Sequence, residues 1–260
     1  MKCTVDTESW TITLPDGRTI SWFDDEGFRF LSDAWLAASW QRKYSYQFRW
    51  FGRPIIQLPQ DMVLMQDLIV RLRPTLIIET GIAHGGSAVM HASLLSMIHG
   101  SVDRDLHRPH VVAIDIEIRP HNRTALDEHP LRHMITLVEG SSTAPETIAR
   151  VRRKVRPEDR VLVVLDSNHL RDHVRAELEA YAPMVSPGSA IVVMDGVMRD
   201  LARLPNATPS WREDNPIGAI EAFLATPIGR SFSIDSTYDG YACTHSPQGI
   251  LLRAEATGSD

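Results

Sequence analysis

The stretch from residue 76 to residue 87 constrains the fold more than any other, because a short apolar run breaks there into glycines before helical spacing resumes. Its start, Leu76–Ile78, is typical of a buried parallel strand. The glycines of the turn are Gly81, Gly85 and Gly86. They allow a sharp turn and a close backbone approach to a ligand, and Ser87 predicts the N-cap of a helix over residues 88–98. The stretch is typical of a nucleotide-cofactor cradle, although an ordinary strand-to-helix turn uses the same residues.

Four more apolar runs have the composition of buried strands, and each stops at a polar or glycine-containing cluster. They are Val111–Ile114 before Asp115, Met134–Val138 before Ser141 and Ser142, Val161–Leu165 before Asp166, and Ala190–Met194 before Asp195. Because helical spacing separates these runs, the sequence predicts an α/β fold with a doubly wound, mostly parallel sheet. The carboxyl ends of parallel strands meet at one edge of a sheet, so the polar clusters should converge on one site.

Residues 1–58 are expected to form an N-terminal extension, with a hairpin over residues 9–22, a helix over residues 28–40 and an aromatic loop. Three side chains of that loop are candidates to face a pocket: Tyr44, Tyr46 and Arg49. Most of the loop's other aromatic residues should attach the extension to the core.

Residues 59–256 are expected to form the main domain, closed by an antiparallel hairpin of residues 231–235 and 249–253. The long connection over residues 197–215 shows little periodicity, which makes it a candidate lid over the site.

Composition excludes several classes of protein. With 27 basic and 33 acidic residues among 260, a net charge of −6 and no basic block, nucleic acid is not an expected partner. Two cysteines do not build a disulfide framework, and no apolar run reaches the length of a membrane span. We therefore expect a soluble cytoplasmic protein with a small-molecule substrate and no membrane contact.

The strand-end residues predict specific chemistry. Asp115 can accept hydrogen bonds from both ribose hydroxyls of a cofactor, and polar side chains at residues 139–142 can meet its adenine base. Asp166 and Asp195 can share a divalent cation such as Mg²⁺. Without a metal, one of these two carboxylates would have a raised pKa and could act as a general base, and His169 is the alternative base. His84, in the turn itself, is expected to bind rather than to catalyse.

Two enzyme classes compete for such a site. Read as Gly81-x-Ala83-x-x-Gly86, the turn is a degenerate dinucleotide fingerprint, which would indicate a nicotinamide-dependent oxidoreductase. However, Asp115 lies 34 residues after Gly81, whereas the acidic residue of a dinucleotide site lies about 20 residues after its glycine motif. An acid before the turn and acids ending the second and fourth strands fit an S-adenosylmethionine site better.

The chain resembles the cephalosporin hydroxylase and rhamnosyl O-methyltransferase family between about residues 40 and 253. The matching segments are 44–46, 52–61, 76–87, 165–169, 171–174 and 187–189. This resemblance implies a Rossmann-like class I methyltransferase with a seven-stranded sheet, S-adenosylmethionine as cofactor, and often Mg²⁺ at the positions of Asp166 and Asp195. It also implies a homo-oligomer and hydroxyl acceptors on sugars or natural products.

Met194 departs from the family pattern, because it stands where the family has the first member of an acidic pair. A thioether is a poor ligand for Mg²⁺. Either Asp166 and Asp195 hold the ion with more water, or Asp200 contributes, or the protein works without a metal.

We predict an S-adenosylmethionine-dependent O-methyltransferase acting on a sugar or a glycosylated natural product. The cofactor-binding residues are predicted to be Glu79, Gly81, His84, Gly85, Ser87, Asp115, Ser141, Ser142 and Asp166. His169 or Asp166 would be the catalytic base, and Asp166 and Asp195 the metal ligands. The alternatives are the oxidoreductase and a non-catalytic partner subunit that keeps the cofactor fold.

Overall fold

The computed structural model of the chain describes residues 2–100, 109–238 and 240–255. Its N-terminal part comprises a three-stranded antiparallel sheet, a long helix and a two-stranded ribbon. These are β1 (Thr4–Asp6), β2 (Thr11–Thr13), β3 (Thr19–Ser21), α1 (Asp25–Gln41), β4 (Phe48–Trp50) and β5 (Arg53–Ile55). The predicted hairpin is present as β2 and β3, and β1 adds a third strand to it.

The rest of the described chain alternates strands with helices. The elements are α2 (Pro59–Leu72), β6 (Leu76–Thr80), α3 (Gly86–His99), β7 (His110–Asp115), α4 (Pro120–Asp127), β8 (Ile135–Glu139), α5 (Pro145–Arg152), β9 (Val161–Leu165), α6 (Arg171–Tyr181), β10 (Ala190–Val193), α7 (Met198–Leu201), α8 (Pro216–Leu224), β11 (Phe232–Ile234) and β12 (Ile250–Arg253).

These strands form one seven-stranded sheet in the order β11-β12-β10-β9-β6-β7-β8. Neighbours from β10 to β8 pair in parallel, and β12 runs antiparallel to both β10 and β11. This is the predicted doubly wound, mostly parallel sheet with seven strands. The chain order reverses between β6 and β9, and ligands of open α/β sheets bind beside such a switch point.

Successive side chains of each strand point to opposite faces of the sheet, so the core has two layers. Ile77 and Leu162 face the layer that contains α2 and α3, whereas Ile78 and Val163 face the layer that contains α6 and α8. All residues of β6 and β9 are buried, as expected for strands covered on both faces. Within the described part of the chain, no helix combines the length and the apolar character needed to cross a membrane.

One local prediction was wrong. Helix α3 begins at Gly86 and its N-cap is Gly85, with φ +80° and no side-chain capping bond; the hydroxyl of Ser87 is bonded to Glu79 instead. The candidate lid over residues 197–215 contains α7 and a 3₁₀ turn at Pro209–Arg212, and its role as a lid stays a prediction.

Candidate active site

The glycine turn after β6 fits tightly between the ends of its neighbouring strands. Gly81 has φ +77°, and a Cβ on it would lie 2.0 Å from the carbonyl oxygen of Asp166. Its N–H donates to the carbonyl of Ile114 at 2.8 Å. A residue other than glycine would meet both left-handed strain and a backbone clash here, so the turn depends on Gly81.

Asp115, at the end of β7, holds the turn from within. Its Oδ2 accepts the backbone N–H groups of Ile82 and Ala83 at 3.0 and 3.1 Å, and its Oδ1 accepts that of Glu117 at 3.2 Å. Each carboxylate oxygen can accept about two hydrogen bonds, so Oδ1 keeps capacity for a ligand hydroxyl. Asp115 therefore braces the turn as well as lining the cleft described below.

Arg53 and Asn122 hold the turn from outside. The guanidinium of Arg53 donates to the carbonyl of His84 and to the side-chain oxygen of Asn122. Asn122 in turn donates to the carbonyl of Ala83 at 2.9 Å. The turn's outward carbonyls are thus satisfied by protein groups.

Glu79 lies beneath the turn, fully buried. One of its oxygens accepts from the Ser87 hydroxyl, and the other lies 2.9 Å from Nδ1 of His91 on the same helix. Glu79 joins β6 to α3 in this arrangement, and its contact with a cofactor stays a prediction. Gly85 is also buried, with the Leu126 side chain against it.

A cleft of about 350 Å³ opens at the switch point. The predicted residues that line it are Gly81, Asp115, Ser141, Ser142, Asp166, His169 and Asp195, and Tyr46 of the aromatic loop lines it too. A narrower recess shares Gly81 and Asp166 with this cleft and is lined further by His84 and Ser87. Tyr44 and Arg49 line neither of them. The structure thus brings the strand-end residues to one site.

Asp166, His169 and Asp195 form a compact cluster at the floor of the cleft. One ligand atom from each lies within 4.8 Å of the others, and this is the one such three-residue group that the described residues form. Nε2 of His169 is 3.2 Å from Oδ2 of Asp195, whose φ of +58° is unusual for a side-chain-bearing residue. Burial, and next the charge of Asp195, raises the pKa of Asp166 well above its usual range.

Met194 and Asp200 do not join this cluster. The Met194 side chain is buried in the core layer beside α2 and α3, where its sulfur accepts from the Ser246 hydroxyl at 3.4 Å. Asp200 is exposed and lines a separate cavity of about 380 Å³ between α1 and α7. Of the candidate metal ligands, the structure therefore keeps Asp166 and Asp195 together, and it places His169 beside them.

His245 and Asp61, which the sequence analysis did not identify as site residues, lie next to Asp195. Nδ1 of buried His245 is 3.7 Å from Oδ1 of Asp195, and its backbone N–H donates to Asp61 at 3.0 Å. Asp61 also accepts from the Thr244 hydroxyl, and burial raises the pKa of Asp61. The sequence did contain an indication that Asp61 is buried: it lies on the apolar face of α2, four residues before buried Met65.

A histidine of α6 was also missed. Nε2 of His173 lies 3.1 Å from the Ser142 hydroxyl and 3.2 Å from that of Ser167, at the end of the cleft where adenine was predicted. The Ser167 hydroxyl donates to Glu177 at 2.6 Å, and Glu177 is fully buried. The indication in the sequence was Glu177 itself, because it lies on the apolar face of α6 with Val174 and Leu178 and so predicts a buried polar contact.

Comparison with known proteins identifies relatives along most of the chain. The sequence profile of the family described as "Rhamnosyl O-methyltransferase/CmcI" matches residues 42–254. The rhamnosyl O-methyltransferase of Mycobacterium tuberculosis (strain ATCC 25618 / H37Rv) is 30% identical over 197 residues, which cover 74% of this chain and 73% of that protein. The counterpart of Mycobacterium leprae (strain TN) is 28% identical over 210 residues, covering 78% and 82%.

Solved structures share the fold at lower identity. A CmcI structure described as "cmcI-D160 Mg-SAM" superposes with a TM-score of 0.53 at 17% identity, covering 80% of this chain and 77% of that one. The MycE methyltransferase in complex with Mg, SAH and mycinamycin VI superposes with a TM-score of 0.50 at 17% identity, covering 85% and 53%.

Proposed function

The chain belongs to the rhamnosyl O-methyltransferase/CmcI family, and we propose that it is an S-adenosylmethionine-dependent O-methyltransferase acting on a hydroxyl of a sugar or a glycosylated natural product. The observation that carries the proposal is one cleft that holds both a glycine turn braced by Asp115 and the cluster of Asp166, His169 and Asp195. The first feature suits a nucleoside cofactor and the second suits an acceptor hydroxyl. The curated relatives named as rhamnosyl O-methyltransferases support the sugar acceptor.

The cleft fits the cofactor in its polar groups. Asp115 retains acceptor capacity for ribose, and Ser141 and Ser142 lie with His173 where the base would be held. The CmcI and MycE structures whose descriptions name SAM or SAH share this fold. S-adenosylmethionine supplies the methyl group on an electrophilic sulfonium centre.

The cluster also fits a divalent cation. Asp166 and Asp195 would hold it through carboxylate oxygens, which Mg²⁺ prefers, with His169 beside them. A cation there would lower the pKa of an acceptor hydroxyl and orient it. The two carboxylates repel each other without one, which is part of why the pKa of Asp166 is raised.

We assign proton removal to His169. Its Nε2 lies 3.2 Å from Oδ2 of Asp195 at the cleft, so the imidazole is paired with a carboxylate that can orient it, which leaves Nδ1 to accept a proton. His169 would take the proton of the acceptor hydroxyl, and bound S-adenosylmethionine would supply the methyl group to that oxygen and leave as S-adenosylhomocysteine. Alignment of the two reacting groups in the cleft supplies much of the rate.

A methyl-transfer assay with S-adenosylmethionine and a panel of rhamnosides, other glycosides and free sugars tests the proposal. S-adenosylhomocysteine should form only when a hydroxyl acceptor is present, and His169→Ala should abolish its formation while calorimetry still detects S-adenosylhomocysteine binding. Binding of NAD(H) with no binding of S-adenosylhomocysteine would indicate the oxidoreductase. Cofactor binding with no turnover on any acceptor would indicate a non-catalytic subunit.

The sequence further predicts a cytoplasmic protein and a homo-oligomer, and we propose both. Light scattering during size-exclusion chromatography measures the assembly, and a monomeric mass would contradict it.

A further inference from the structure

Gln57 is buried without hydrogen-bond partners. Its side chain lies in the segment between β5 and α2 and is 3% exposed. Neither its amide nitrogen nor its amide oxygen has a hydrogen-bond partner among the described residues. Since buried polar groups are nearly always paired, this amide calls for a ligand that the protein itself does not supply.

Gln57 lines the narrow recess beside the glycine turn. Gly81, Gly86 and Asp166 line the same recess, and Gly81 and Asp166 connect it with the main cleft. The residues predicted to meet ribose and adenine lie elsewhere in that cleft. A cofactor whose nucleoside lies over Asp115 would therefore direct its remaining end toward Gln57.

Packing fixes the segment that carries Gln57. A Cβ on Gly86 would lie 2.1 Å from the carbonyl oxygen of Pro54, so the absence of a side chain there lets the segment rest against α3. Ile55 and Leu58, on either side of Gln57, are 2% and 0% exposed. A segment held in this way fixes where the buried Gln57 side chain starts, so less conformational entropy opposes its contact with a ligand.

The charges around the recess select the kind of group that fits. Among the described residues that line it, none is Lys or Arg, and Asp166 is an acid. The N-terminus of α3, a helix of 14 residues, begins at Gly86 on the recess wall and favours a negative group. A zwitterion meets both conditions, because its carboxylate can accept from an amide N–H while its ammonium donates to an oxygen.

We propose that Gln57 binds the amino-acid end of the cofactor, with Nε2 donating to the α-carboxylate and Oε1 accepting from the α-ammonium. This inference rests on the proposed function, since it takes the cofactor to be S-adenosylmethionine. Gln57 is a binding residue in it and takes no part in proton transfer.

Two ligands and two variants of the full chain test it. S-adenosylhomocysteine carries the amino-acid end, whereas 5′-methylthioadenosine has the same nucleoside and a thioether without that end. Gln57→Met keeps the length of the side chain and removes both polar atoms. By calorimetry it should weaken S-adenosylhomocysteine binding about 10- to 100-fold, as expected for hydrogen bonds to charged groups, and change 5′-methylthioadenosine binding less than about twofold.

Gln60→Met is the matched control. Gln60 lies three residues further on, in the first turn of α2, and does not line the recess. It should leave the affinity for both ligands unchanged. The melting temperature of ligand-free Gln57→Met should equal or exceed that of the wild type, because an unpaired buried amide is replaced by an apolar group, whereas a structural role would lower it.

Equal loss of both ligands, or unchanged binding of S-adenosylhomocysteine, would overturn the inference. If the wild type binds neither ligand, the proposed function itself fails. Should Gln57→Met fold poorly, Gln57→Glu gives the same contrast, since it removes the amide donor and faces the carboxylate with a like charge.

Discussion

Asp115 has two roles in the structure, and substitutions can separate them. It accepts three backbone N–H groups, two of which belong to the glycine turn, and we propose that its remaining acceptor capacity binds ribose. Asp115→Ala removes both roles. Asp115→Asn can keep one oxygen for Ile82 and Ala83, while its NH₂ group replaces the oxygen that accepts from Glu117 and from a ligand.

The number of hydrogen bonds lost determines how much stability each Asp115 variant should lose. At about 1 kcal/mol per hydrogen bond, Asp115→Ala should lose roughly 3 kcal/mol, less whatever water restores at this half-exposed side chain. For a domain of this size 1 kcal/mol corresponds to about 2–4 °C, which gives a fall in melting temperature of roughly 4–12 °C. Asp115→Asn should lose about 1 kcal/mol, or roughly 2–4 °C, because one backbone bond is lost.

Cofactor affinity should respond differently from stability. Both variants lose the charged acceptor, so each should bind S-adenosylhomocysteine about 10- to 100-fold more weakly. Scanning fluorimetry without ligand and calorimetry with ligand measure the two effects separately. Undiminished affinity in Asp115→Asn would refute the ribose contact, and an unchanged melting temperature in Asp115→Ala would refute the bracing.

Three further outcomes are expected. EDTA should lower methyl-transfer activity and Mg²⁺ should restore it; full activity in chelator would leave deprotonation to side chains alone. In Gly86→Ala the new Cβ would lie 2.1 Å from the backbone oxygen of Pro54, so the free energy of unfolding in urea should fall by about 1–3 kcal/mol. In the control Gly218→Ala the nearest atom to the new Cβ is 3.4 Å away, so the free energy of unfolding should not fall. Equal effects of the two substitutions would contradict the close approach at Gly86. Burial raises the pKa of Tyr238 to about 12, and its hydroxyl donates to Asp67 at 2.8 Å. Because the folded pKa exceeds the ordinary value of 10.0, this stabilisation is present below pH 10 and is lost as pH rises through about 12. The advantage of wild type over Tyr238→Phe in denaturant should therefore narrow between pH 8 and pH 11, and a constant difference would contradict this.

The strands and their common edge could be predicted because their signals are local. Val161–Leu165 is a continuous aliphatic run with no polar position, and β9 has those same bounds. Since parallel strands present their carboxyl ends together, knowing where such runs stop was enough to bring Asp115, Asp166 and Asp195 to one cleft.

The partners of individual side chains could not be predicted in this way. Ser87 has the chemistry of an N-cap, yet a buried carboxylate on the preceding strand takes its hydroxyl and Gly85 provides the cap. The contact of Asp61 with the backbone of His245 joins residues 184 positions apart. No spacing rule reaches across that distance, because the pairing is decided by how α2 packs against the end of the sheet.

The contact between Pro54 and Gly86 has a consequence for chimaeric enzymes. Residues 54–57 precede the sheet in the sequence, yet they form one wall of the recess whose other wall is the glycine turn. A crossover at residue 59 would take these two walls from different parents, and would also separate Leu58 from Val197, with which it packs. Crossovers placed before residue 44 keep both walls and Tyr46 in one parental block, so libraries cut there should retain cofactor binding more often than libraries cut at residue 59.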